Sequence, residues 1–206
     1  PKTRILKEIY RHSKVEMMAP IYQHDLNEPL ALTVVDGKPE RIWLNKKAKM
    51  SKKLRGIEKA FPGYYVTIAS SSRDDAEIVL YVRSDKDPGG FYIFNTETNE
   101  LKDLGMNTRG WIKSEEMTEM EPISFKARDG LEINGYLTRP KSKKENLPMV
   151  MFVHGGPHGV RDYWRYNSQV QFLANRGYAE IVNKRFFPTD RGKLISAFLE
   201  KLFSKY

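Results

Sequence analysis

The stretch that most constrains this chain is Leu147-Pro-Met-Val-Met-Phe-Val-His-Gly-Gly-Pro-His-Gly159. Met149–Val153 is a short, unbroken apolar run without period-2 alternation, which predicts a strand buried on both faces of a parallel sheet. Pro148 before it and Gly155-Gly156-Pro157 after it punctuate the run and argue against a helix. Two glycines just past the carboxyl end of a buried strand let backbone N–H groups approach a ligand closely, because no Cβ intervenes. Open α/β sheets place their binding sites at that end of their strands. The alternative is a tight strand-to-loop turn without chemistry. These residues alone leave both readings open.

The chain before this stretch reads as strands and one helix. Thr3–Tyr10, Leu30–Val35 and Arg41–Leu44 are strand candidates, the last two flanking the turn signal Asp36-Gly37-Lys38-Pro39. Lys46–Lys59 holds much of the formal net charge of +9. Met50, Leu54, Ile57 and Phe61 recur there at helical spacing, so the lysines are the solvated side of an amphipathic helix rather than a nucleic-acid patch. Tyr64–Ser70, Ala76–Ser84, Gly90–Asn95 and Glu100–Leu104 follow as four strands joined by Asp-, Asn- and Gly-rich turns. That spacing matches one antiparallel propeller blade. Eleven Tyr and ten Phe suit such a β-rich region.

Ser114–Glu121 is acidic, lacks strand periodicity and is expected to connect two domains, 1–118 and 119–206. Beyond it, Ile123–Ala127 and Leu131–Thr138 flank Arg128-Asp129-Gly130, a second hairpin. Lys141–Asn146 is a polar loop. Tyr166–Arg176 is predicted helical, with Val170, Phe172, Leu173 and Ala174 facing inward and Gly177 as its C-cap. Ala179–Asn183 is the next strand. Hairpin, strand, helix and strand make the opening of an α/β domain.

No cysteine is present, which excludes disulfides and thiolate metal sites. His154 and His158 do not form a metal pair, since i,i+4 ligation needs a helix and Gly-Gly-Pro prevents one. No metal or organic cofactor is expected. No run approaches the roughly 18 apolar residues of a membrane span. Pro1-Lys2-Thr3-Arg4 lacks the apolar core of a signal peptide, which gives a cytoplasmic expectation.

Three segments in order carry a family resemblance: Glu121-Pro-Ile-Ser-Phe-Lys-Ala-Arg-Asp-Gly-Leu-Glu-Ile-Asn-Gly-Tyr-Leu137, Leu147–Gly159, and Val170-Gln-Phe-Leu-Ala-Asn-Arg-Gly-Tyr-Ala179. They resemble the prolyl oligopeptidase family of serine peptidases, in its acylaminoacyl-peptidase and dipeptidyl-aminopeptidase branch. The similarity runs from about Ile21 to Asn183, and Phe61-Pro-Gly-Tyr-Tyr65 and Asn107-Thr-Arg-Gly-Trp111 fit the last blade and its exit. The resemblance implies the closing one or two blades of a β-propeller followed by the first part of an α/β-hydrolase domain, with peptides as substrates. It implies an oxyanion-side role for His154 and a supporting loop of Gly155, Gly156 and Pro157. Such a donor stabilises the charge that develops on a tetrahedral intermediate.

The remaining machinery departs from the family pattern. No serine lies in a Gly-x-Ser-x-Gly elbow, and the histidines are His12, His24, His154 and His158. A triad in the order Ser, acid, His is therefore missing from these residues. The end of the chain departs too: Glu180-Ile-Val-Asn-Lys-Arg-Phe-Phe187 places an acid in the strand and is one residue shorter than the family pattern. Thr189–Tyr206 reads as an amphipathic helix, with Leu194, Ile195, Phe198, Leu199, Leu202 and Phe203 on one side. The expectation is a truncated family member, inactive alone, that self-associates or needs a partner chain. Half of a split peptidase and a non-catalytic binding or assembly module are the alternatives. A basic nucleic-acid binder is the weaker third.

Overall fold

The computed structural model describes residues 8–18, 20–23, 29–107, 109–141, 146–152, 154–155 and 161–183. The chain divides into two compact units, Pro1–Tyr81 with Tyr92–Leu104, and Val82–Phe91 with Gly105–Tyr206.

In the first unit, β1 (Ala31–Asp36) and β2 (Lys38–Trp43) form an antiparallel hairpin that pairs Asp36 with Lys38. Pairing thus continues through Lys38 and Pro39, and the expected four-residue turn narrows onto Gly37. The φ there is +89°, a conformation glycine adopts without a steric penalty. Residues 31–35 are all buried, and β1 has neighbours on both edges: β2 on one, and isolated bridges from Met17 and Ile21 on the other. Of the expected strand Thr3–Tyr10, residues 3–7 lie outside the described residues, and Glu8–Tyr10 are not in a strand.

Helix α1 (Lys49–Ala60) buries Met50, Leu54 and Ile57, as their spacing predicts, and leaves Lys49, Lys52 and Lys59 exposed. Arg41 of β2 reaches this helix. Its guanidinium lies 2.7 Å from Glu58 and donates to Val66 O at 2.6 Å. Burial raises the Glu58 carboxyl above its usual value, with Arg41 and then Arg55 opposing that shift. A four-stranded sheet follows in the order β3 (Tyr65–Ser71), β4 (Glu77–Arg83), β5 (Gly90–Asn95), β6 (Leu101–Asp103). Neighbours in sequence are neighbours in the sheet. Along β4 the burial alternates, with Ile78, Leu80 and Val82 inward, the signature of a half-buried strand.

The second unit is built on a sheet of order β7-β8-β10-β9. The hairpin of β7 (Met120–Lys126) and β8 (Glu132–Thr138) turns at Gly130, whose φ is +84°. Its first strand starts within the acidic stretch expected to be a linker. The hairpin register carries on to Met120 opposite Thr138, and Asp85 Oδ2 accepts the Met120 N–H at 2.7 Å. Only Ser114–Glu116, a single 3-10 turn, keeps a connecting character.

Strand β9 (Met149–Phe152) runs parallel to β10 (Ala179–Asn183), and α2 (Ser168–Ala174) lies between them in the chain. A parallel pair requires such a crossover. The expectation of a strand buried on both faces is corrected: Met149–Phe152 are all half-buried. Among the described residues β9 is the edge strand and pairs with β10 alone. Val153 lies outside the described residues.

Helix α2 is shorter than predicted because Asn167 caps it, its side chain accepting from Gln169 and Val170 N–H groups at 2.9 and 3.3 Å. Gly177 ends the helical turn at φ +90°, with Gly177 N–H to Ala174 O and Tyr178 N–H to Leu173 O. The inward face is Val170, Gln171 and Ala174, and Phe172 points outward at 54% exposure. Phe172 instead lies beneath the Arg176 guanidinium, 3.5 Å from its ring centre. In β10, Ala179 and Ile181 are buried. The Glu180 side chain and the expected helix Thr189–Tyr206 lie outside the described residues.

Candidate functional site

The site sits at the carboxyl end of β9, where the strand gives way to His154 and Gly155. Gly156, Pro157 and His158 lie outside the described residues. His154 is half-buried, and its Nδ1 lies 3.2 Å from Gly155 O. At Gly155 a Cβ would meet nothing within 4 Å, and no left-handed φ occurs. Among the described residues, neither crowding nor backbone strain demands glycine there.

The stretch 161–166 follows in the described chain, and it is fixed at several points. Trp164 is buried, and its Nε1 donates to Met120 O at 3.2 Å. The Tyr166 N–H donates to Ser84 O at 2.8 Å. Tyr136 of β8 is fully buried, and its hydroxyl meets the Arg161 side chain and the Trp164 backbone N–H. Burial pushes the Tyr136 phenol above its usual value, with the Arg161 charge as the main opposing effect. Arg161 also lies over the Tyr163 ring at 4.8 Å.

Between these anchors sits Asp162. Its Oδ2 is buried with no hydrogen-bond partner among the described residues. Burial raises this carboxyl above its usual value, and the charges of His154 and then Arg165 act in the opposite direction. Asp162 follows His154 by eight positions in the sequence, and the His154 Nε2, like the Asp162 Oδ2, is buried with no hydrogen-bond partner among the described residues. Sequence reasoning missed Asp162, Tyr136 and Arg161. The available signal was the charged and aromatic run Arg161-Asp-Tyr-Trp-Arg-Tyr166 directly after the glycine loop.

A buried amide network supports the site. Gln171, at 3% exposure, donates from Nε2 to Thr118 O at 2.7 Å and Asp85 O at 3.2 Å. Its Oε1 accepts the Thr118 N–H at 2.9 Å. The loop after β4, the segment just before β7 and helix α2 are joined through this one side chain. Chemically, the strand end supplies an imidazole, and the stretch that follows supplies a buried carboxyl. Among the described residues no three His, Asp or Glu side chains cluster as metal ligands would, and no helix is long and apolar enough to cross a membrane.

No family profile matches the chain. Dipeptidyl aminopeptidase BIII of Pseudoxanthomonas mexicana is 29% identical over 134 residues, which covers 61% of this chain and 19% of that protein. The uncharacterized peptidase YuxL of Bacillus subtilis is 27% identical over 124 residues, covering 59% and 19%. The chain spans about a fifth of the length of these curated relatives. Among solved structures, oligopeptidase B of Trypanosoma brucei with covalently bound antipain matches with a TM-score of 0.52 at 19% identity, over 69% of this chain and 23% of that one. The fold is thus a mixture of sheet and helix shared with peptidases. These likenesses support the resemblance to prolyl oligopeptidase-family peptidases.

Proposed function

We propose that this chain supplies the oxyanion side of a serine peptidase site, with His154 as the donor and Gly155, Gly156 and Pro157 as the loop beneath it. The observation that carries the reading is the position of His154 and Gly155 at the carboxyl end of a strand parallel to its neighbour, with nothing among the described residues crowding a Cβ at Gly155. Relatives named as peptidases support a peptide substrate. In this reading residues 1–118 are propeller blades and residues 119–206 are hydrolase sequence. These 206 residues contain no elbow serine and no histidine after His158. The nucleophile and the general base must therefore come from outside them, and the chain alone is inactive.

The test is a chimera in which residues 120–183 replace the aligned segment of the Pseudoxanthomonas dipeptidyl aminopeptidase. His154→Gln in an active chimera should lower kcat by about 100- to 1,000-fold with little change in KM, the signature of a lost oxyanion donor. Unchanged kcat would defeat the proposal. The second reading is an assembly module, favoured by the exposed apolar side chains Met106 and Trp111, at 62% and 78% exposure. Exposed apolar surface of this kind marks interaction sites when it is contiguous.

A further inference from the structure

We propose that the lysine face of α1 is a docking surface for an acidic polypeptide segment of a partner protein. Residues 46–60 carry seven Lys and Arg side chains and a single acid, Glu58. Lys46, Lys47, Lys49, Lys52 and Lys59 are exposed. Glu58 does not offset them, because its carboxylate lies 2.7 Å from the guanidinium of Arg41, whose side chain is only 5% exposed. A helix face that is merely solvated interleaves acids with its lysines at i,i+4 spacing. Here the one acid is turned to β2, and the lysines are left as a field of one sign.

These charges also sit where they oppose the helix. The first turn of α1 holds no acid, and its cap residue Ala48 makes no side-chain bond. Lys46, Lys47 and Lys49 gather at the positive end of the helix dipole, where cations are disfavoured. Folding alone gains nothing from that placement, and local choices that work against a fold mark functional surfaces.

The chemistry of the face selects its occupant. Met50, Leu54 and Ile57 are buried, so α1 keeps no apolar stripe with which to enter a lipid surface. Recognition of nucleic acid draws on arginine forks and on rings that stack against bases. The exposed cations of residues 46–60 are all lysines, whereas Arg55 and the flanking rings of Trp43 and Phe61 are half-buried. Ammonium groups on flexible stems suit carboxylates of irregular spacing. The 12 residues of α1 extend about 18 Å, a length that about six extended residues cover.

The test uses the full chain and a fluorescein-labelled oligoglutamate of about eight residues, long enough to span the face, followed by anisotropy across a salt series. Binding should saturate and weaken as salt rises, because complementary surface charge is screened. Replacing Lys49, Lys52 and Lys59 together with glutamine should reduce affinity by roughly tenfold or more, about the effect of 1.4 kcal/mol. The same replacement at Lys14, Lys102 and Lys126, which are exposed elsewhere, removes equal net charge and should change affinity by less than about twofold. Thermal unfolding supplies a second readout: the α1 triple variant should keep or raise Tm, since its lysines do not stabilise the helix. Equal losses in both triple variants would reduce the effect to net charge and overturn the proposal, as would no binding, or a lower Tm for the α1 variant. Tighter binding, through the same lysines, of a single-stranded oligonucleotide of matched charge would overturn it in favour of nucleic acid, and preference for anionic vesicles would do so in favour of a lipid surface.

Discussion

Replacing Gln171 with methionine tests how the second unit is held together. The substitution keeps the length of the side chain and removes three hydrogen bonds, to Thr118 O, Asp85 O and Thr118 N–H. At about 1 kcal/mol net for each bond, the loss is roughly 3 kcal/mol. Thr118 and Asp85 are buried at 6% and 4% exposure, so water does not readily replace the lost partner. Greater apolar burial by the thioether offsets only part of this. For a protein of this size, about 3 kcal/mol corresponds to a fall in Tm of roughly 10 °C. Urea unfolding followed by circular dichroism and by tryptophan fluorescence measures it, since Trp164 is buried beside the network. Gln171→Glu provides a signed control. Its carboxylate still accepts from Thr118 N–H but turns negative oxygen toward two carbonyl oxygens. It should be the less stable variant at neutral pH and recover on acidification, when a protonated carboxyl again donates. A cost below about 0.5 kcal/mol for Gln171→Met, or identical pH profiles for the two variants, would refute the bracing role.

Asp162→Asn should raise stability at neutral pH, read as a higher Tm. Burial lifts the folded-state carboxyl above its unfolded value, so the native state binds the proton more tightly, and the wild type loses stability as pH rises from the usual carboxylate range through that raised value. The asparagine variant should lack this loss, and an equal slope in both proteins would contradict the assignment. Leu54→Ala, at a side chain 1% exposed in α1, should cost about 2–5 kcal/mol in urea unfolding; a cost under 1 kcal/mol would mean that α1 does not pack as described. A serine-directed fluorophosphonate should leave the isolated chain unlabelled, because no elbow serine is present; stoichiometric labelling with turnover of an aminoacyl nitroanilide would show a nucleophile that the sequence reading overlooked. Sedimentation over a concentration series should reveal self-association, whereas a monomer at every concentration would remove that expectation.

Local chemistry alone determined much of this protein. The alternation Ile78-x-Leu80-x-Val82 makes β4 a half-buried strand, and Met50, Leu54 and Ile57 recur at a helical period and form the buried side of α1. Gly130 and Gly177 occupy positive-φ positions that few other residues accept. Each of these features depends on neighbours within a turn or two, so the sequence contains the whole cause. The family likeness was legible for the same reason, carried by contiguous segments at fixed spacing. Tertiary structure decided what depends on distant partners. Residue periodicity favoured Phe172 for the inner face of α2, yet Gln171 went inside because Thr118 and Asp85 offered its amide three bonds. Met120 joined β7 because Thr138 extends the pairing that far and Asp85 takes its N–H. The apolar run Met149–Phe152 promised a central strand, but position in a sheet is set by the strands that flank it, and the described partner is β10 alone. The stretch around Asp162 is held by anchors at Tyr136 and Met120, contacts far away in sequence that no local pattern encodes.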